Sequence, residues 1–285
     1  MPELPDIAVY VERLAAVLGD QPLVALRLAS PFVLRFGPRG DEPAGTPGPI
    51  AVLHLMIAGR LRWKPPGAAM PGKIALAAFD FAHGTLSWTE ASPKKRASLH
   101  LVEPGPDALA PFDRGGLDVF AATDTSFAER LRRTNHTIKR ALTDPTILDG
   151  IGNAYSDEIL HAARCSPFRQ TKAMTDAEFA ALRATTVQVL TDWTARLRAE
   201  VGDGFPDKVT AFRPEMAVHG KYGQPCPVCG SPVQRIAYAD NEANYCATCQ
   251  TDGRLLADRS LSRLLKADWP KTLAELEERR AQRKP

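Results

Sequence analysis

Four of the chain's five cysteines fall in one run, Cys226-Pro227-Val228-Cys229 and Cys246-Ala247-Thr248-Cys249, with sixteen residues between the pairs. Each Cys-x-x-Cys turn lets two thiolates grip one ion. The stretch between them is long enough for a β-hairpin that brings the second pair round to complete a tetrahedron. Four thiolates leave no position for water, so the spacing points to one structural zinc rather than a catalytic metal. Two disulfides are the other reading of such spacing. The segment Met1-Pro2-Glu3-Leu4-Pro5-Asp6 argues against it, being acidic and proline-rich with no positive leading region. It predicts a cytoplasmic protein rather than a secreted one. The fifth cysteine, Cys165, stands alone in a helical stretch and reads as a small core residue.

A second constellation is Gly150-Ile151-Gly152-Asn153-Ala154-Tyr155. Two glycines two apart break a helix, and Asn153 can cap the next one, beginning near Tyr155. Such a turn offers unpaired backbone N–H groups at the positive end of a helix dipole, a cradle for an anion. The third glycine of a nucleotide fingerprint is missing, and the segment before the turn is helical. A plain helix–turn–helix corner is the other reading. Lys139 upstream and the cysteine hairpin downstream favour a phosphate of a nucleic-acid backbone. The net charge of +3 is small for a nucleic-acid binder, but it is unevenly spread. Pro93-Lys94-Lys95-Arg96, Arg132-Arg133 and His136-Thr137-Ile138-Lys139-Arg140 are local basic clusters that a fold could align along one groove.

These groups need a scaffold, and 285 residues with 44% apolar content suffice for two domains. No apolar run approaches the roughly 20 residues of a membrane helix. Residues 1–20 predict a helix, with Ile7, Tyr10, Val11, Leu14 and Leu18 at helical spacing. The segments Leu26 to Leu34, Ile50 to Leu55, Lys73 to Phe81 and Thr85 to Thr89 read as strands, with His83-Gly84 as a tight hairpin signal. Between them, Gly37 to Pro49 is too rich in glycine and proline for either helix or strand. A linker runs from Glu103 to about Gly116, and residues 124–200 turn to helical periodicity. Two further helices are expected after the cysteine hairpin, from Ala257 to Lys266 and from Thr272 to Arg283.

Taken together, these residues resemble the formamidopyrimidine-DNA glycosylase and endonuclease VIII family of base-excision repair enzymes. Met1-Pro2-Glu3-Leu4-Pro5 looks like its N-terminal signature. Thr137-Ile138-Lys139 through Gly150 to Glu158 is similar to its helix–two-turn–helix. Cys226 to Cys249, with Tyr245 before the third cysteine and Gln250 after the fourth, is similar to its zinc finger. The resemblance implies an α+β chain in which DNA lies in a cleft between two domains. An N-terminal β-sandwich with a flanking helix would span 1–110, and a helix–two-turn–helix domain 117–215. The zinc finger would span 216–252 and a helical tail 253–285. It implies catalytic roles for Pro2 and Glu3. With Met1 removed, Pro2 is a secondary amine whose pKa near ~8 leaves a useful neutral, nucleophilic fraction. Glu3 would protonate the sugar ring oxygen, a task that calls for a raised pKa. Lys139 and Asn153 match the family's phosphate-binding residues, and Lys73 a DNA-facing lysine of the first domain, although Ile74 stands where a histidine often follows.

Four departures bear on function. Asn241 occupies the finger-hairpin position where most relatives carry a phosphate-gripping arginine, and asparagine has neither charge nor fork. Ile57, Lys94 and Arg96 occupy the positions of the methionine, arginine and phenylalanine that fill the gap left by an extruded base; Met56 is one residue off. The Gly37–Pro49 stretch contains no lysine where the family carries a catalytic one, leaving Lys73 or Lys64 as stand-ins. The tail after Gln250 runs past the usual end of the finger. The expected function is a bifunctional DNA glycosylase/AP lyase. It would be monomeric, with one structural Zn2+ and no membrane association, and would flip a damaged, oxidised base out of double-stranded DNA. The rivals are a specialised abasic-site or crosslink processor and a non-enzymatic damage-binding protein. Retention of Pro2 and Glu3 argues against the last.

Overall fold

The computed structural model describes residues 2–28, 33–35, 49–238, 241–257 and 270–282. The chain divides into two units: Met1–Asp113 with Trp193–Thr210, and Arg114–Asp192 with Ala211–Pro285. The finger and the described part of the tail both fall in the second unit.

In the first unit, α1 (Leu4–Leu18) starts at a proline-bearing first turn and stops at Gly19, whose φ of 50° suits glycine. Its buried face carries Val9 and Tyr10, while Ile7 and Val11, expected inward, are exposed. The Tyr10 hydroxyl sets this rotation by donating to the Leu61 carbonyl at 3.3 Å. Burial pushes that phenol up to about 12.

Strands β1 (Ala25–Leu28), β2 (Val33–Arg35), β4 (Gly59–Lys64), β5 (Ala75–Phe81) and β6 (Gly84–Glu90) form an antiparallel sheet in the order β2-β1-β5-β6-β4. Strands β3 (Ile50–His54) and β7 (Ser98–Val102) form a second, two-stranded sheet. All seven residues of β6 are buried, as in a strand flanked and covered on both faces. Leu53 of β3 and Leu99 of β7 pack on the same core as Tyr10, Leu26, Leu61, Phe79 and Trp88, which makes the pair of sheets a sandwich.

The single strand expected over Leu26–Leu34 is instead a pair, β1 and β2, in antiparallel register. Strands β4 and β7 lie outside the segments expected as strands, although the Arg-Leu-Arg-Trp-Lys of β4 alternates with strand period. Lys73 lies not in a strand but on a 3-10 turn, Gly72–Ile74, leading into β5. Gly84 is needed less for the hairpin than for packing, since a Cβ there would sit 2.0 Å from the Trp63 ring. The stretch Gly37 to Gly48, including Arg39, and the helix expected over Ala257–Lys266 lie outside the described residues, save Ala257 itself.

The second unit is helical: α2 (Asp124–Arg132), α3 (Ile138–Thr143), α4 (Asn153–Ala162) and α5 (Asp176–Val201), whose last residues belong to the first unit. Thr123 and Thr137 cap α2 and α3 through their hydroxyls. Phe127, Leu131, Ile138, Leu142 and Ile159 are fully buried, matching the expected apolar face. Asn153 is the first residue of α4, and Gly152 takes the cap position. The cysteine hairpin is β8 (Gln234–Ala237) and β9 (Glu242–Tyr245), followed by α6 (Ala247–Thr251). The tail returns as α7 (Leu273–Gln282). Leu273 and Leu276 pack on Ile236, Tyr245, Ala247 and Leu255, so the tail docks on the finger. Among the described residues, no helix is long and apolar enough to cross a membrane.

Candidate active-site, DNA-contacting and metal-binding elements

In the first unit, Pro2 and Glu3 are buried at the start of α1. A reciprocal capping box holds Glu3: its N–H donates to Asp6 Oδ2 at 3.1 Å, and its carboxylate takes the Asp6 N–H. A terminus that would otherwise fray is therefore fixed next to an acid.

Ile57 is 67% exposed on a turn between β3 and β4. Gly59 makes this turn possible: its N–H donates to the Leu55 carbonyl at 2.8 Å, and a Cβ would sit 2.0 Å from that oxygen. Met56 beside it takes a left-handed φ of 53°. Arg60 clamps the turn, donating to the carbonyls of Ile57 (3.1 Å), Gly59 (2.6 Å) and Val209 (2.6 Å). Burial lowers the pKa of its guanidinium.

Lys94 and Arg96 are exposed on the turn between β6 and β7. Glu90, 1% exposed, holds the turn from below: its two carboxylate oxygens accept the N–H groups of Arg96 and Ala97, each at 3.1 Å. Its carbonyl accepts Lys95 Nζ at 2.5 Å. Lys73 and Lys64 are both exposed.

In the second unit, the two expected phosphate ligands turn inward. Lys139 is 7% exposed, and its ammonium donates to the Asn153 carbonyl (2.8 Å), Ser156 Oγ (2.7 Å) and Asp157 Oδ1 (2.5 Å). An ammonium has three donors, and all three are taken by protein oxygens. Asn153 Nδ2 donates to the Glu242 carbonyl of β9 at 2.7 Å. In this structure the Lys139 ammonium and the Asn153 amide nitrogen are thus both engaged by protein oxygens. The exposed cations of that stretch are Arg133 and Arg140. Asn241 is exposed at the tip of the finger hairpin, its carbonyl accepting the Tyr238 N–H at 2.8 Å.

The Sγ atoms of Cys226, Cys229, Cys246 and Cys249 all lie within 4.8 Å of one another, and none forms a disulfide. Tetrahedral thiolates at ~2.3 Å from zinc stand about 3.8 Å apart. The separations of 4.0 Å for Cys226–Cys249 and 3.4 Å for Cys229–Cys246 bracket that value, so the donor set fits. His161 Nε2 lies 3.2 Å from Cys226 Sγ, a contact of the kind that orients a metal-bound thiolate. Cys165 is a different case: burial pushes its thiol up to about 11, in keeping with a packing role.

Sequence reasoning missed Glu90, Asp157, Glu158 and His219. Each is polar, buried and bonded to distant backbone or side chains. The only signal in the sequence was two adjacent acids, Asp157 and Glu158, inside an otherwise apolar helical segment.

Residues 117–197 match the formamidopyrimidine-DNA glycosylase H2TH domain, and residues 223–251 match the zinc finger found in FPG and IleRS. A Mycobacterium tuberculosis protein described as an uncharacterized formamidopyrimidine-DNA glycosylase-like protein is 43% identical over 163 residues, covering 57% of this chain and 98% of that one. The formamidopyrimidine-DNA glycosylase of a Synechococcus species is 30% identical over 237 residues, 74% of this chain and 76% of its own. In fold, the chain is similar to the Lactococcus lactis Fpg solved in complex with abasic-site DNA. There the TM-score is 0.69 at 21% identity, over 87% of this chain and 99% of that one. With both modules in family order and these identities over most of each relative, the chain belongs to the formamidopyrimidine-DNA glycosylase family.

Proposed function

We propose that the protein is a bifunctional DNA glycosylase/AP lyase acting on damaged, oxidised bases in double-stranded DNA. The observation that carries this reading is the placement of Pro2 and Glu3, buried together at a helix start that a capping box makes rigid, in a chain of this family. The relatives support it: the Synechococcus protein is a formamidopyrimidine-DNA glycosylase, and the Lactococcus lactis Fpg of similar fold was solved on abasic-site DNA. The Pro2 nitrogen, freed by removal of Met1, attacks the deoxyribose C1′. The C1′–N bond to the base breaks, and its electrons leave with the base. Glu3 protonates the ring oxygen as the sugar opens. The resulting iminium acidifies the C2′ proton, and β-elimination expels the 3′ phosphate.

Within this reading the units take the roles of a catalytic sandwich (1–110), a DNA-binding helical domain (117–215), a finger (216–252) and a tail (253–285). Four thiolates hold one structural zinc, which when bound fixes the hairpin that presents Asn241. The protein works as a cytoplasmic monomer. Lys73, Lys94, Arg96 and Ile57, all exposed, are the side chains of the first unit that meet DNA. Asn241 brings no charge to the finger tip, which favours a single elimination over two and keeps abasic-site processing as the second reading.

The test is borohydride trapping on an abasic-site duplex. A covalent adduct mapped to Pro2 is expected, reduced in Pro2→Gly and absent when the terminus is blocked. Glu3→Gln should impair base release more than cleavage of a preformed abasic site. An adduct on Lys73 or Lys64 overturns the Pro2 assignment, and no adduct on any abasic DNA favours a damage-binding protein.

A further inference from the structure

Asp157 sits in the middle of α4 with its carboxylate 1% exposed, and it collects three donors from three directions. Lys139 Nζ of α3 binds Oδ1 at 2.5 Å. His219 Nδ1 binds Oδ2 at 2.7 Å, and the backbone N–H of Asn244 in β9 binds the same oxygen at 3.1 Å. Its neighbour Glu158 accepts the N–H groups of Ala217 (2.7 Å), Val218 (2.9 Å) and His219 (2.9 Å). Asn244 Oδ1 closes the set by accepting the Gly220 N–H at 2.8 Å. Helices α3 and α4, the segment 217–220 and the finger strand β9 therefore meet on two adjacent carboxylates.

A buried carboxylate left alone in such a place is strongly destabilising, and a paired one is tolerated. With the Lys139 ammonium on its other oxygen, Asp157 stays paired while it serves His219 and Asn244 as an acceptor. We infer that Lys139 is a positioning residue: its ammonium neutralises Asp157 and through that carboxylate seats the finger hairpin on the α3–α4 pair, rather than gripping a DNA phosphate. The DNA arm of the test rests on the proposed repair function; the inference itself rests on the contacts within this unit.

Two measurements on the full-length, zinc-loaded protein decide it. The first is binding to a duplex carrying a tetrahydrofuran abasic analogue, followed over a series of salt concentrations. Lys139→Met should bind more weakly at every salt concentration while keeping the wild-type slope of log Kobs against log salt. The double variant Lys139→Met/Asp157→Leu should recover part of the loss, because neither charge is left buried alone. A slope shallower by about 0.9 in either variant, the mark of one lost phosphate contact, overturns the inference. So does a double variant no better than the single. Should Lys139→Met fail to retain zinc, the double variant decides by its slope, and a double variant that also loses zinc counts against the inference.

The second measurement needs no DNA. Amide exchange at Asn244 and His219 should quicken in Lys139→Met; in the double variant, which lacks the Asn244 acceptor, it should be partly restored at His219, whose N–H is held by Glu158. Unchanged exchange in Lys139→Met refutes the coupling. If the wild type does not bind the duplex at all, the repair function fails and the exchange arm alone judges the inference.

Discussion

Replacing Glu90 by alanine should loosen the turn that carries Lys94 and Arg96 without unfolding the sandwich. The carboxylate accepts two backbone N–H groups, of Arg96 and Ala97, each at 3.1 Å, from a position 1% exposed. Hydrogen bonds to a charged acceptor contribute roughly 1.5–3 kcal/mol each. The freed amides lie near the surface, Arg96 exposed and Ala97 half-buried, so water replaces part of what is lost. A net local cost of about 2–3 kcal/mol follows, together with the small cavity left under the turn. Exchange of the Arg96 and Ala97 amides should then quicken roughly 30- to 160-fold, at one decade per 1.36 kcal/mol. Amides in the centre of β6 should change far less. Glu90→Gln should fall between, since one oxygen still accepts while the amide nitrogen faces the other N–H. Native-state hydrogen exchange read by mass spectrometry gives the answer. Unchanged exchange at residues 96 and 97 in Glu90→Ala would refute the view that this carboxylate holds the turn.

Other perturbations separate the remaining parts. Arg164, exposed at the end of α4 with a φ of 50°, pays a left-handed strain that Arg164→Gly should relieve, raising stability by about 1 kcal/mol in thermal unfolding. No gain in Tm would mean that the arginine side chain compensates. A strong chelator, or Cys226→Ser, should release zinc, unseat α7 from the finger and abolish duplex binding while β-sheet circular dichroism of the sandwich persists; metal-free protein as purified would count against the finger. With Ile57 and Arg96 in the gap-filling positions, discrimination between cytosine and adenine opposite 8-oxoguanine should be weak. A marked preference for cytosine in single-turnover excision would sink that expectation.

Features written in local spacing are legible in the sequence. The four cysteines, the glycine turn before α4 and the β8–β9 hairpin depend on residues close together in the chain, and they formed as expected, although α4 starts at Asn153 rather than near Tyr155 and is capped by Gly152. Features that depend on distant partners were not legible. Nothing in Lys139 itself says that Asp157, Ser156 and the Asn153 carbonyl will surround its ammonium, so a lysine in a basic run reads as a DNA contact. The rotation of α1 was misjudged for the same reason, because the Tyr10 hydroxyl finds Leu61, fifty-one residues away. Nor does the sequence announce that Arg60 of β4 spends its guanidinium on three carbonyls, one of them Val209.

The turn bearing Ile57 joins β3, in the two-stranded sheet, to β4, an edge of the five-stranded one. Strand β3 has only β7 to pair with among the described strands, and that pairing matches Ile50 with Val102 and His54 with Ser98. Closing so long a loop costs chain entropy before its contacts return anything, and pairings of high sequence separation slow folding. The β5–β6 and β8–β9 hairpins carry no such delay. The Ile57 turn therefore acquires its shape only when both sheets have formed and docked, late on the folding path. A fluorophore placed there would report completion of the sandwich, where one on the finger hairpin would report an early, local event.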